Sequence, residues 1–126
     1  MSSFKMTGGS IKISSWNPLT WSSLTGLPNT LLINAQVGTM YTLLTSDNGK
    51  IVTMNNPSDS TVLVLSGLGV GFSCTIIQLG EGQVTLSASG VAMNSYLSSA
   101  KIAGQHGKAS LIAYSSDVFN LNGNLV

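Results

Sequence analysis

His106 is the only histidine of the chain and Cys74 its only cysteine. With the four carboxylates Asp47, Asp59, Glu81 and Asp117 and the three tyrosines Tyr41, Tyr96 and Tyr114, they are the side chains best suited to chemistry. A zinc site needs three or four nitrogen, sulfur or oxygen ligands. His106 stands in Gly104-Gln105-His106-Gly107-Lys108 with no second histidine or cysteine near it, so it reads as a surface-loop residue. Acid–base cleavage of a glycoside needs two carboxylates to converge. Here each carboxylate falls in a turn-forming stretch, where a solvated side chain that shapes the backbone is expected. Gly67-Leu68-Gly69-Val70-Gly71 lacks the Lys-Ser/Thr pair that follows a phosphate-binding loop, and reads as a turn. Cys74 lies in an apolar run and reads as a buried free thiol. Tyr41 and Tyr114 occupy strand-like runs and are expected in the core. Tyr96, in a polar crossover, is the candidate for ligand contact, with His106 beside it as a second. This pattern leads us to expect no enzyme, no metal and no cofactor.

Composition narrows the partners. Charged residues make up 7% of the 126 residues, against roughly 25% in ordinary soluble domains. Five lysines face four acids and there is no arginine, so neither a basic field nor a bidentate phosphate clamp is available for nucleic acid. A surface with so little charge has weak protection against association, as suits an oligomer or a part of a larger assembly. No apolar run approaches the ~20 residues of a membrane-spanning helix, and residues 1–10 lack the apolar stretch of a signal peptide. Neither membrane insertion nor export is expected.

Two regions must position whatever chemistry there is. Residues 1–37 hold both tryptophans and two of the three prolines, and read as an extended N-terminal arm. Its Trp16, Trp21, Leu24, Leu27 and Leu31 are the expected partner-binding residues, because each large side chain taken out of water is worth roughly 1.5–3 kcal/mol. Residues 38–126 read as a β domain. Strands are predicted over 39–45, 50–54, 61–65, 108–114 and 118–121, with turns at Ser46-Asp47-Asn48-Gly49, Asn55 to Asp59 and Ser115-Ser116-Asp117. The run 61–65 is apolar enough to suggest burial on both faces. The first two strands read as a hairpin, and so does Cys74 to Leu86, where two β-branched runs flank Leu79-Gly80-Glu81-Gly82. About eight short strands at this spacing predict an all-β fold, an antiparallel β-sandwich or barrel. The only helix candidate is the weak stretch 95–103.

Several segments carry two resemblances to a known family. Thr20-Trp21-Ser22-Ser23-Leu24-Thr25-Gly26-Leu27-Pro28 is similar to the W-x-x-[ILV]-[ST]-G-K-P segment of bacteriophage tail-fibre proteins, with Leu27 in place of the usual lysine. Asp47-Asn48-Gly49-Lys50, Ile77-Gln78-Leu79-Gly80-Glu81-Gly82-Gln83-Val84-Thr85 and the Gly123-Asn124-Leu125 ending resemble the trimeric terminal β module of phage tail-fibre and virion surface proteins. Phe119 departs from the tryptophan common there. The resemblance implies a homotrimeric, non-enzymatic structural protein of the virion surface, assembled in the host cytoplasm. Its first form is a capsid decoration, or cement, protein docked through the arm, with the major capsid protein as partner. The alternative is a tail-fibre or head-fibre tip that binds host surface glycans, and a third reading is a free carbohydrate-binding module.

Overall fold

The structure, a computed structural model, describes residues 32–126. Trp16, Trp21, Leu24, Leu27 and Leu31 therefore lie outside the described residues. Nine strands follow in order: β1 Ile33–Gln36, β2 Met40–Thr42, β3 Ile51–Met54, β4 Ser60–Leu65, β5 Ser73–Gln78, β6 Val84–Ser89, β7 Ala92–Ser95, β8 Lys108–Ser115 and β9 Val118–Gly123. Residues 33–36, assigned to the arm on sequence, are the first strand of a sheet. The helical turns lying wholly within the described residues are Thr45–Asp47 and Tyr96–Ser98, so the weak helix candidate over 95–103 shrinks to a single turn.

The domain is all-β, but its strands do not pair in the order the sequence suggested. β1, β3 and β5 run parallel in one sheet, and β2, β4 and β6 run parallel in another. Each turn of the chain thus lays one strand on each sheet. Parallel neighbours need a crossover of a dozen residues or more. Here the opposite sheet supplies it: Ile33 and Ile51 pair across 18 positions, and Ile51 and Thr75 across 24. This is the winding of a β-solenoid. The expected antiparallel order is corrected accordingly, since between strands it is confined to β5 with β8 and β8 with β9. The larger sheet runs β1-β3-β5-β8-β9-β7, and the smaller one β2-β4-β6.

Both expected internal hairpins are corrected too. β2 and β3 lie on different sheets, as do β5 and β6. The stretch Leu79 to Gln83 is a corner between sheets, and its glycines serve a different purpose from a hairpin's. A Cβ on Gly82 would stand 1.9 Å from the Ser58 carbonyl oxygen, and one on Gly80 would stand 2.3 Å from that of Asn56. The corner of one coil passes directly under the corner of the coil before it, and the Gly82 N–H donates up to the Asn56 carbonyl (3.0 Å). Gln78, buried at 1% exposure, completes the bend: its Nε2 donates to the Gly80 carbonyl (3.1 Å) and its Oε1 accepts from the Val84 N–H (3.1 Å). A buried amide that satisfies two backbone groups is what a bend without ladder partners requires.

The core follows from strand alternation. Val52 and Met54, Val62 and Val64, Cys74 and Ile76, Val84 and Leu86, Leu111, Phe119 and Leu121 point inward and are buried. β4 alternates as well, with Thr61 and Leu63 only partly buried, so the expectation of burial on both of its faces is corrected. Cys74 is buried as expected, and burial, with Asp47 adding to it, pushes its thiol up to about 12.

The two ends of the winding differ. At the late end, Lys101 bridges Thr85, Leu86 donates to the Ala100 carbonyl (2.8 Å) and Ile102 donates to that of Val84 (2.9 Å), so the free edge of β6 is covered. At the early end, β1 and β2 are the outermost strands of their sheets. Leu32, Ile33, Val37, Met40 and Leu44 are all exposed there.

Candidate functional site

The side chains that present themselves for recognition lie on the outer face of β7, β9 and β8 and in the turn that follows β7. β9 reads Val-Phe-Asn-Leu-Asn-Gly, and alternation sends Phe119 and Leu121 inward while Asn120 and Asn122 face water. Asn94 of β7 lies beside Asn120 in register, and Ile112 of β8 lies on its other side. Strands in a sheet are ~4.8 Å apart and alternate residues along a strand ~6.6 Å, so the three asparagines form a compact group. Tyr114, 57% exposed, borders it, and its hydroxyl accepts from Asn94 Nδ2 (3.1 Å). The expectation that Tyr114 belongs to the core is corrected: β8 alternates, and Leu111 and Ala113 take the inward places.

At the other border is the turn Tyr96–Ser98. Tyr96 is 87% exposed and Leu97 80% exposed, the two most exposed large hydrophobic side chains of the described residues. Leu97 has φ +59° and Ser98 φ +57°, a left-handed conformation that side chains with a Cβ rarely take twice in succession. The Ser95 hydroxyl ties the turn by donating to the Ser99 carbonyl. Between this turn and the end of β9 lies a shallow pocket of about 160 Å³ reached by Tyr96, Leu97, Ser99, Asn122 and Leu125. Drug-sized ligands occupy ~300–1,000 Å³. This pocket suits a single ring or one side chain instead.

Of the sequence-derived candidates, Tyr96 is thus part of this surface. His106 is exposed in its loop with φ +70°, its N–H donating to the Gln78 carbonyl (2.6 Å), and it does not line the pocket. Asp59 accepts from the Gln83 N–H (2.9 Å) and Asp117 from the Gly67 N–H (3.1 Å), so each ties its own turn to a connection distant in sequence, and Glu81 is exposed.

Asp47 overturns its expectation as a solvated turn residue. It is 1% exposed, and its carboxylate accepts from Asn34 Nδ2 (2.8 Å), the Tyr41 hydroxyl (2.6 Å) and the Leu44 N–H (2.9 Å). Burial, and then the bond to Asp47, push the Tyr41 phenol up to about 12. The cluster fastens β1 and β2 to the turn Thr45–Asp47. Every donor is occupied in holding the first coil together, so we assign the cluster to stability. The asparagine face was missed on sequence, although the alternation in β9 carried its signal.

Comparison with family models and with curated proteins finds no match for this chain.

Proposed function

We propose that the chain is a non-enzymatic structural protein of a bacteriophage virion surface, a homotrimer, whose first role is capsid decoration with the major capsid protein as partner. The observation that carries this reading is the uneven finish of the winding. The late end is covered by the segment around Lys101 and Ile102, whereas at the early end, among the described residues, Leu32, Ile33, Val37, Met40 and Leu44 are exposed. Exposed apolar residues grouped in this way mark a place where another surface is met. A cement protein works by such burial, and sparse surface charge favours a life in an assembly. The likeness of the Asp47 to Lys50 and Gln78 to Thr85 segments to phage virion modules supports the same reading.

A second reading, adsorption to host surface glycans as a fibre tip, is favoured by the exposed Tyr96 and Leu97 beside the asparagine face. Quantifying the chain in purified particles tests both. Hundreds of copies per particle support decoration, a few to a few tens support a fibre tip, and absence from particles overturns the virion reading. Solution light scattering should give a trimer mass; a monomer at micromolar concentration refutes the oligomer.

A further inference from the structure

We infer that the outer face of β7, β9 and β8 is a binding site for an uncharged oligosaccharide, with Asn94, Asn120 and Asn122 as its hydrogen-bonding floor and Tyr114 and Tyr96 as its apolar borders. This deepens the adsorption reading and rests on it only for where such a sugar is met. A primary amide offers two donors and an acceptor with two lone pairs. A sugar hydroxyl, as donor and acceptor at once, is satisfied by such a group without any charge. Three amides grouped on one face repeat that match, while Asn94, already bonded to the Tyr114 hydroxyl, is held in place before a ligand arrives.

The borders supply the other half of sugar recognition. A pyranose ring has apolar C–H faces, and an exposed tyrosine offers both a ring to cover them and a hydroxyl at its rim. Tyr96 and Leu97 stand over the 160 Å³ pocket at the end of β9, a volume suited to one ring. Charge decides which sugars fit. The three strands contain no carboxylate, and their only charged side chain is Lys108. A single lysine gives too weak a field to select an anionic sugar, and an apolar protein partner would leave three amides without their bonds. Backbone strain points the same way: holding Leu97 and Ser98 left-handed has a cost, and both side chains are exposed.

The test uses the full chain against immobilised hexose and N-acetylhexosamine oligosaccharides, with their sialylated and sulfated counterparts alongside. The expected result is binding to at least one neutral member with no improvement from the added charge. Asn120→Ala and Asn122→Ala should each weaken it by about tenfold, the loss of a buried hydrogen bond. Both positions are exposed, so melting temperatures should stay in place. Leu65→Ser, on the other sheet, should bind as the parent does. Binding of charged sugars alone, no binding of any neutral sugar, or affinity that survives both asparagine changes overturns the site. Protection of Tyr114 by a second copy of the chain in the trimer does so as well. If the chain is absent from particles and the asparagine-dependent binding persists, the virion reading falls and the sugar site stands. If the chain is on particles and no neutral sugar binds, the site falls alone.

Discussion

The corner Leu79 to Gln83 and the turn Ser95 to Ser99 are both short connections, yet they use the backbone in opposite ways. In the corner, glycines occupy places where any side chain would strike the coil above, at 1.9 Å for Gly82. In the turn, Leu97 and Ser98 occupy left-handed places that glycine would fill at lower cost. The corner thus has the residues the fold requires. The turn has residues that the fold alone would not select, displayed at 80% exposure or more for Tyr96 and Leu97. Residues that agree with the fold tell of stability, and residues that oppose it tell of use.

The largest effect is expected at the corner. Gly82→Ala should destabilise by about 3 kcal/mol or more, because the obstruction is a backbone carbonyl that cannot turn aside, as overpacking of a fixed neighbour predicts. Urea denaturation measures it, and a change below about 0.5 kcal/mol would mean that the stacked corners are not in contact. Gln78→Leu should follow at about 2–3 kcal/mol, since the Val84 N–H and the Gly80 carbonyl lose their buried partners while the volume is kept.

How much of this was legible in the sequence depends on what each residue reports. β-branched runs and alternation report strands and their faces, so the all-β class and the inward Ile76 and Val84 were within reach. They do not report partners. Ile77 to Val84 has the composition of a hairpin, and only the pairing of β5 with β3 and of β6 with β4 shows it to be a corner. The glycines misled for the same reason: a glycine needed for positive φ and one needed for close approach are written with the same letter. The buried state of Asp47 was illegible because Ser-Asp-Asn-Gly is a turn signal, and its partners Asn34 and Tyr41 come from neighbouring strands. Asn120 and Asn122 were legible from the Val-Phe-Asn-Leu-Asn-Gly alternation. Alternation does not report that Asn94 of β7 lies beside them, which only the pairing of β7 with β9 shows.

A smaller effect sharpens the division between stability and display. Tyr41 and Cys74 titrate higher in the folded chain, to about 12 in each case, than their ordinary values of 10.0 and 9.0. A raised folded value means that the contribution is whole below the unfolded value and lost as pH climbs through the folded one. Stability should therefore be level up to about pH 9 and decline toward pH 12. Tyr41→Phe should remove the Tyr41 part of that decline and leave the part due to Cys74. At neutral pH the same change should cost about 2 kcal/mol, the worth of a hydrogen bond to a buried carboxylate that is then left short of a donor. Chemical denaturation across this pH series measures both, and a wild-type profile that rises above pH 9 would contradict the assignment.

The smallest effect is the most telling, because it has the opposite sign. Leu97 stands at φ +59° with its side chain in water, so Leu97→Gly removes a left-handed penalty and gives up almost no burial. An L-residue pays roughly 1–2 kcal/mol for that conformation. Glycine returns part of it through the greater freedom of its unfolded chain, roughly 0.5–1 kcal/mol. The net expectation is a domain more stable by up to about 1.5 kcal/mol, or at the least no weaker. If the turn exists for display, the same variant should adsorb less well to its target. Gly82→Ala adds one methyl group and should cripple the fold; Leu97→Gly deletes a whole side chain and should strengthen it while weakening recognition. A Leu97→Gly protein that melts several degrees lower would show that Leu97 supports the fold after all, and the turn would then belong with the corner as a structural element.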